Sequence, residues 1–167
     1  PSSPELYTVT TDVIDSTDGT ILDSDITRTG FRTFGFDADK GFSLNGSPMK
    51  LNGVCLHHDA GALGAVVNKA AIRRQLSILK AMGCNAIRTS HNPPAPELLD
   101  YCDEMGFMVM DEAFDMWRKR KTIGDYANYF NEWHERDLDD FIRRDRNHPS
   151  VIVWSIGNEV LEQWTHA

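Results

Sequence analysis

Residues that can do acid–base chemistry follow four apolar runs of this sequence directly. The four runs end in HHD at 57–59, RTSH at 88–91, DEAFD at 111–115 and GNE at 157–159. Carboxylates beside an amide, an arginine and histidines suit sugar hydrolysis. In that reaction one carboxylic acid protonates the leaving oxygen while a second carboxylate acts from the other side. Each group alone has a plainer interpretation, such as an Asp111-Glu112 pair that caps loops or binds Arg88, but the four together favour an active site.

Other chemistries fit these residues less well. The sequence has no serine elbow and no Gly-rich phosphate loop. A zinc site built from His57, Asp59 and His91 is conceivable, but neighbouring strand residues such as His57 and His58 point to opposite faces. HxH and HExxH spacings are also absent. We therefore expect no metal and no cofactor.

The elements that must position these residues alternate between strand and helix from residue 51 onward. Apolar runs predict strands at 51–56, 86–89, 107–110 and 151–156. Helical patterns follow Asn68, begin at Pro96 and cover roughly 128–145. The last of them is expected to bury Phe130, Trp133, Leu138 and Phe141–Ile142. Nearly continuous apolar strands are typical of parallel sheets, and repeated βα units favour a doubly wound sheet or a (β/α)8 barrel.

The α/β region is too short for a complete barrel, and its polar residues indicate where a ligand would bind. A full barrel takes about 250 residues, and residues 51–167 supply fewer than half of them. Ligands bind at the carboxyl edge of parallel sheets, so we expect the four polar stretches to meet there.

The first 38 residues follow a different pattern. Alternating residues in LYTVTTDVI at 6–14 and RTGFRTFGF at 28–36, with DSTDG between them, predict a β-hairpin. Two strands alone are marginal in water, so this hairpin is expected to belong to a sandwich. Asn-Gly at 45–46 and at 52–53 predicts two further tight turns. We place domains at 1–38 and 39–167.

Composition narrows the class of partner. The net charge of −8 argues against nucleic acid, which requires clustered Lys and Arg. No apolar stretch reaches membrane-spanning length, so no membrane partner is expected. Three cysteines without a CxxC pair predict buried free thiols. The opening PSSPEL shows no export signal and no initiator Met, which predicts a processed or excised segment; the compartment stays unknown, whether periplasmic, secreted or cytoplasmic.

Three motifs carry a family resemblance. NAIRTSHNP at 85–93, DEAFDMW at 111–117 and RDRNHPSVIVWSIGNEV at 144–160 resemble glycoside hydrolase family 2, which contains β-galactosidases, β-glucuronidases and β-mannosidases. The stretch at 29–59 resembles that family's passage from an immunoglobulin-like sandwich into its catalytic barrel. The resemblance implies the N-terminal half of a (β/α)8 TIM barrel, preceded by strands of an immunoglobulin-like domain.

The resemblance also implies roles for individual residues. Glu159 matches the general acid/base of the retaining mechanism, and Asn158 matches the residue that binds the sugar 2-hydroxyl. Arg88 is implied to hold the carboxylate of the nucleophile.

Four more positions are implied to contact the sugar. His57 and His91 are expected to line its pocket. Asp59 matches a sugar-contacting aspartate more weakly, and Trp154 is either a pocket wall or a core residue.

Two departures from the family pattern matter. Enterobacterial-type β-galactosidases follow DEAN with a Glu-x-His pair that binds magnesium, whereas Met116 and Arg118 stand here; we expect no Mg²⁺ requirement from these positions. The family's nucleophile is a glutamate on strand seven, and this chain ends after strand four. The segment alone is therefore expected to be inactive, and its open barrel edges are expected to favour self-association.

The substrate is predicted less sharply than the reaction. A β-galactoside is the first expectation, and β-glucuronides and β-mannosides stay open. The alternative of another class is a carbohydrate-binding or structural module.

Overall fold

The computed structural model describes residues 1–164 and contains two antiparallel sheets, one parallel sheet and three α-helices in that range. The antiparallel strands are β1 (Tyr7–Ile14), β2 (Ile21–Thr29), β3 (Phe34–Asp37), β4 (Gly41–Leu44) and β5 (Ser47–Pro48). The parallel strands are β6 (Gly53–His57), β7 (Ala86–Ser90), β8 (Met108–Glu112) and β9 (Val151–Ser155). The helices are α1 (Lys69–Ala81), α2 (Pro96–Met105) and α3 (Phe130–Asp145). None of the helices in this range is both long and apolar enough to cross a bilayer.

The parallel sheet has the strand order β6-β7-β8-β9, so each strand pairs with the next along the chain. This confirms the predicted alternation of parallel strands and helices. β6 and β9 are the edge strands of this sheet in the described part of the chain; self-association through such edges stays a prediction. Because all four strands run in the same direction, their polar carboxyl ends share one edge.

One of the two expected Asn-Gly turns is present. Asn45 and Gly46 have φ of 49° and 78°, the left-handed conformation that a two-residue hairpin turn needs. The prediction of a second turn at Asn52-Gly53 is wrong, because Gly53 is the first residue of β6. A Cβ at Gly53 would lie 3.1 Å from the Cβ of Ala86, so glycine lets β6 approach β7 closely here.

The helices pack their apolar faces on one side of the parallel sheet. Asn68 caps α1 as predicted, since its side chain accepts from the Ala71 N–H at 3.0 Å. The core between α1, α2 and the sheet contains Ile72, Leu76, Ile87, Leu99, Cys102, Phe107, Val109 and Val151. Side chains alternate along a strand, so Arg88 and Met110 lie on the opposite face from Ile87 and Val109.

α3 packs against the residues that follow β8, and fewer of its apolar side chains are buried than expected. Phe130 and Phe141 are buried against Ala113 and Phe114. Trp133 and Ile142, which the pattern assigned to the same stripe, are exposed. The Arg136 guanidinium lies 5.3 Å from the centre of the Trp133 ring, so this tryptophan packs on its own helix surface.

The N-terminal hairpin is β1 paired with β2, and β2 begins earlier than the sequence suggested. The expected strand at 28–36 is instead divided between the end of β2 and β3. Thr29 donates to the Asn147 carbonyl at 2.8 Å, which attaches the hairpin to the parallel-sheet unit. The β3-β4 hairpin spans residue 38, and the domain boundary proposed there stays a prediction.

The NHPS stretch at 147–150 connects α3 to β9. His148 pairs with the buried Asp103 of α2 at 2.6 Å. The other oxygen of Asp103 accepts from the Ser150 N–H at 2.9 Å. Burial lowers the pKa of His148, but the hydrogen bond and charge of Asp103 outweigh it, and the net pKa is raised. This contact fixes the start of β9 against α2.

A pair of buried carboxyl groups joins β8 to α3. The side chains of Asp111 and Asp145 are fully buried, and the Arg144 guanidinium donates to both oxygens of Asp145 at 2.6 Å. Thr89 donates to one Asp111 oxygen at 3.1 Å. Burial, and then the charge of Asp145, raises the pKa of Asp111 to about 7. A protonated Asp111 can donate to Asp145, which explains how two carboxyl groups coexist there.

We expect Asp111→Asn to stabilise the protein at pH 8 and to change little near pH 4. The folded pKa of Asp111 lies above its ordinary value of 3.8, so the folded state binds the extra proton. Stability therefore falls as the pH rises from about 4 to about 7. Asparagine is neutral throughout and keeps an N–H for Asp145, which should gain about 1–2 kcal/mol at pH 8.

Thermal unfolding at the two pH values measures this gain. The exposed Asp39→Asn is the matched control and should show no pH-dependent difference from the wild type. A lower melting temperature for Asp111→Asn at pH 8 contradicts a proton shared between the two aspartates.

Candidate active site

Glu112, the last residue of β8, lies at the centre of a hydrogen-bonded cluster at the carboxyl edge of the parallel sheet. Its side chain is completely buried. One carboxylate oxygen accepts from Arg88 Nε at 3.0 Å, from Arg88 Nη2 at 2.7 Å and from Ser155 Oγ at 2.7 Å. The other oxygen pairs with His91 Nδ1 at 2.7 Å. Three strands or strand ends, β7, β8 and β9, are therefore joined through one carboxylate.

The Glu112 contact orients the His91 ring. An ionised carboxylate only accepts hydrogen bonds, so Nδ1 of His91 carries the hydrogen and Nε2 is left for other partners. The ring of His57, at the end of β6, lies edge-to-face with that of His91, with 5.0 Å between centres. His58 points elsewhere and contacts the Ala65 carbonyl at 2.8 Å. His57, the last residue of β6, and His58, which follows the strand, thus have different partners.

Asn158 connects Arg88 to the loop after β8. Arg88 Nη2 donates to Asn158 Oδ1 at 2.8 Å, and Asn158 Nδ2 donates to Asp115 Oδ1 at 2.9 Å. The Asn158 backbone N–H donates to the Phe114 carbonyl at 3.0 Å. These bonds leave the second N–H of the Asn158 amide for another acceptor.

Glu159 follows in a tight turn. Its φ is 46°, a left-handed conformation that is uncommon for a residue other than glycine. Before it, a Cβ on Gly157 would lie 2.7 Å from the Val160 side chain and 2.9 Å from Trp117 Nε1, so the turn needs glycine. The Glu159 side chain is 82% exposed. Of the two glutamates at this edge, Glu112 is buried and fully engaged, and Glu159 is accessible.

Arg88 binds Asn158 directly, and Glu112 links Arg88 to His91, on which His57 packs. Arg88 was expected to hold the carboxylate of a nucleophile. Here its guanidinium binds Glu112 and Asn158.

Asp59 and Trp154 have other contacts. Asp59 Oδ1 accepts from the Gly61 N–H at 2.6 Å and so closes its own loop. The Trp154 ring lies edge-to-face with Phe141 of α3, 5.2 Å between centres. Trp154 therefore packs on α3 although its side chain stays exposed, and neither alternative that the sequence left open for it is decided by this contact.

Sequence reasoning missed part of the cluster. Ser155 and Asp115 were not singled out, and Glu112 was considered only as a loop cap or partner of Arg88. Strand alternation was the usable signal, because Arg88 and Glu112 fall on the same face of neighbouring strands. Cys55 was expected to be buried, but it is exposed, and its sulfur lies 4.0 Å from Arg88 Nη1.

Within residues 1–164, no three His, Cys, Asp or Glu side chains are placed to share a metal ion. Of the positions that depart from the magnesium motif, Met116 is buried. The guanidinium of Arg118 donates to Asn131 at 2.9 Å.

Side chains at the carboxyl edge of a parallel sheet are where both barrels and doubly wound α/β enzymes bind their ligands, and comparison with known proteins names the family. The model for the TIM barrel domain of glycosyl hydrolases family 2 matches residues 38–167. The chain belongs to glycosyl hydrolase family 2. Its parallel strands and helices are part of that family's barrel, which confirms the predicted fold class.

Individual relatives agree with this assignment. The chain is 68% identical over 165 residues to beta-galactosidase BoGH2A of Bacteroides ovatus, covering 99% of this chain and 19% of that protein. It is 47% identical over 160 residues to a putative beta-glucuronidase of Formosa agariphila, covering 95% and 15%. A crystal structure of a beta-glycosidase from Bacteroides vulgatus matches with a TM-score of 0.91 and 50% identity, covering 99% of this chain and 21% of that one. The chain thus spans about a fifth of the length of these relatives.

Proposed function

We propose that this chain is the acid/base half of the active site of a retaining β-glycosidase. The observation that carries the proposal is the cluster of Arg88, Glu112, His91 and Asn158, beside the accessible carboxyl of Glu159, at one edge of a family 2 barrel. The reaction hydrolyses a terminal β-glycosidic bond and consumes one water molecule.

In the first step Glu159 donates its proton to the glycosidic oxygen as that oxygen leaves the sugar. A second carboxylate attacks the anomeric carbon and forms a glycosyl-enzyme intermediate. In the second step Glu159 takes a proton from water, which attacks the same carbon and restores the original configuration. The exposure of Glu159 allows both proton transfers, because substrate and water must reach its carboxyl group.

Asn158 and His91 are suited to bind the sugar. The free N–H of the Asn158 amide can donate to the sugar 2-hydroxyl, a contact that tightens as positive charge develops on the ring. The ring of His91, oriented by Glu112, presents Nε2 to another hydroxyl. Arg88 holds the Asn158 side chain in place by donating a hydrogen bond to Asn158 Oδ1.

Neither Asp115 nor Glu112 is suited to supply the second carboxylate, and Asp115 already accepts from Lys121 and Asn158. Retaining enzymes place their two carboxyl groups about 5–5.5 Å apart, with both open to the sugar. Glu112 is completely buried and accepts hydrogen bonds on both oxygens, so it is unsuited to attack. We therefore infer that the nucleophile belongs to a longer polypeptide containing this chain.

β-Galactosides are the favoured substrates. The support is the 68% identity to a protein named beta-galactosidase. The 47% identity to a putative beta-glucuronidase keeps β-glucuronides as the second candidate, and β-mannosides follow from the family resemblance alone. A carbohydrate-binding or structural role is the alternative of another class.

Nitrophenyl β-galactoside, β-glucuronide and β-mannoside test the proposal. We expect the complete protein to hydrolyse the galactoside with the highest kcat/KM, and the purified 167-residue chain to give only the background rate. No turnover of any of the three glycosides by the complete protein would favour the binding module. Turnover by the 167-residue chain at a comparable rate would place the nucleophile within it and refute the two-part site.

A further inference from the structure

We propose that Lys121 is a positioning residue of this active site, whose ammonium group ties the turn that carries Glu159 to the loop after β8. This inference rests on the proposed function, since Glu159 is taken as the acid/base. Lys121 belongs to the basic run RKRK at 118–121, which the sequence presents only as a short charged stretch.

The contacts of Lys121 converge on the active-site turn. Its Nζ donates to Asp115 Oδ1 at 2.7 Å and to the Asn158 carbonyl at 2.8 Å. The same nitrogen lies 3.8 Å from Glu159 Oε2. The Lys121 side chain is 21% exposed, so it is largely enclosed, unlike an ordinary surface lysine. One cation therefore contacts the Asp115 side chain and the Asn158 backbone and lies near the Glu159 carboxyl group.

The neighbours of Lys121 support a fixed charge. Burial raises the pKa of Asp115, but hydrogen bonds from Lys121 and Asn158 and the charge of Lys121 outweigh it, so the net pKa is lowered. Asp115 is then an anion that both holds Lys121 and accepts from the Asn158 amide. Lys121 and Asp115 therefore both bind Asn158, Lys121 through its backbone carbonyl and Asp115 through its side-chain amide.

The loop that carries Lys121 is itself ordered by Asp125. One oxygen of Asp125 accepts from the backbone N–H groups of Lys121 at 2.7 Å and Thr122 at 2.8 Å. The other accepts from the Ala127 N–H at 3.1 Å. These bonds set the position of the Lys121 backbone, so less conformational entropy is lost when its side chain reaches Asn158.

The consequence for the reaction follows from the left-handed backbone of Glu159. Such a conformation is strained for a residue other than glycine and persists only when surrounding contacts hold it. The bond from Lys121 to the Asn158 carbonyl restrains the peptide that joins Asn158 to Glu159. Without this bond, the carboxyl of Glu159 should move away from the glycosidic oxygen.

The test uses the leaving-group dependence of kcat/KM in the complete protein. Lys121→Met should reduce kcat/KM for an alkyl β-galactoside by about 10- to 30-fold. A misplacement of 1 Å costs about 100-fold, and we expect the Glu159 carboxyl group to move by less than that. A dinitrophenyl β-galactoside needs no proton on departure and should lose less than about 3-fold. Lys121→Arg should restore most of the loss, and the exposed Lys119→Met should change neither substrate.

The outcomes separate the inference from the proposed function. Equal losses on both substrates, or no loss, refute the role of Lys121 while wild-type hydrolysis keeps the glycosidase proposal. If the wild type hydrolyses neither substrate, the proposed function fails first and the inference falls with it. Should Lys121→Met fail to fold, Lys121→Gln takes its place: a greater loss on the alkyl than on the dinitrophenyl substrate supports positioning, and equal losses or wild-type rates on both refute it.

Discussion

Glu159→Gln in the complete protein should lower kcat/KM for an aryl or alkyl β-galactoside by about 10²- to 10⁴-fold, the usual contribution of an acid–base group. Glutamine keeps the shape of the side chain but has no proton to donate to the leaving oxygen. Because the Glu159 carboxyl is mostly exposed, the substitution removes little buried structure. The melting temperature should stay within about 1 °C of the wild type, as for most surface substitutions.

Steady-state kinetics and thermal unfolding, measured together, check this expectation. The matched control is Glu135→Gln, an exposed glutamate on α3, which should leave both quantities unchanged. Wild-type turnover by Glu159→Gln would remove the acid/base assignment and would leave this segment with only a binding or structural part in the enzyme.

Glu112→Gln should reduce both activity and stability. Glutamine replaces an oxygen that accepts from Arg88 or His91 with an N–H₂ group that faces donors. A buried ion pair that loses one partner costs about 3–5 kcal/mol, and we expect about 3 kcal/mol because the Arg88 side chain is 30% exposed. Arg88 and His91 would then no longer hold Asn158 and the sugar, with a loss of kcat/KM of about 10²-fold or more.

The contrast between the two glutamates is the informative part of this experiment. Chemical denaturation should separate Glu112→Gln from Glu159→Gln, since only the buried glutamate contributes to stability. Glu112→Asp is a useful second variant: it keeps the charge but shortens the reach, so it should retain more stability than Glu112→Gln. If Glu112→Gln melts at the wild-type temperature and keeps full activity, Glu112 is not the residue that organises the cluster.

The sequence predicted the architecture because the apolar runs were regular. The four parallel strands begin within two residues of their predicted positions, and Asn68 caps α1 as expected. The wrong predictions occur where a short sequence pattern is compatible with two structures. Asn52-Gly53 has the composition of a hairpin turn, but it begins a strand because Gly53 lies against Ala86. Trp133 fits the helical stripe by spacing, but α3 packs on the sheet with other residues.

The candidate site was predicted in part, and the reason is tertiary. Arg88, His91 and Asn158 each follow or occupy a strand end, so the shared edge of the sheet brings them together. Lys121 comes from a loop of 17 residues between β8 and α3, and nothing in its spacing indicates which way that loop folds. Its place beside Asn158 depends on the turns that Asp125 stabilises. Such long-range contacts of a loop are set by the folded structure and leave no periodic pattern.

The most direct test of the central claim is azide rescue of Glu159→Ala in the complete protein, with a dinitrophenyl β-galactoside as substrate. If Glu159 is the acid/base, the variant still forms the glycosyl-enzyme, and azide attacks it from the face that water would use. The predicted product is β-galactosyl azide, formed with a rate that rises with azide concentration. Formation of α-galactosyl azide would make Glu159 the nucleophile. If Glu159→Ala hydrolyses the substrate at the wild-type rate and azide has no effect, Glu159 takes no part in the chemistry.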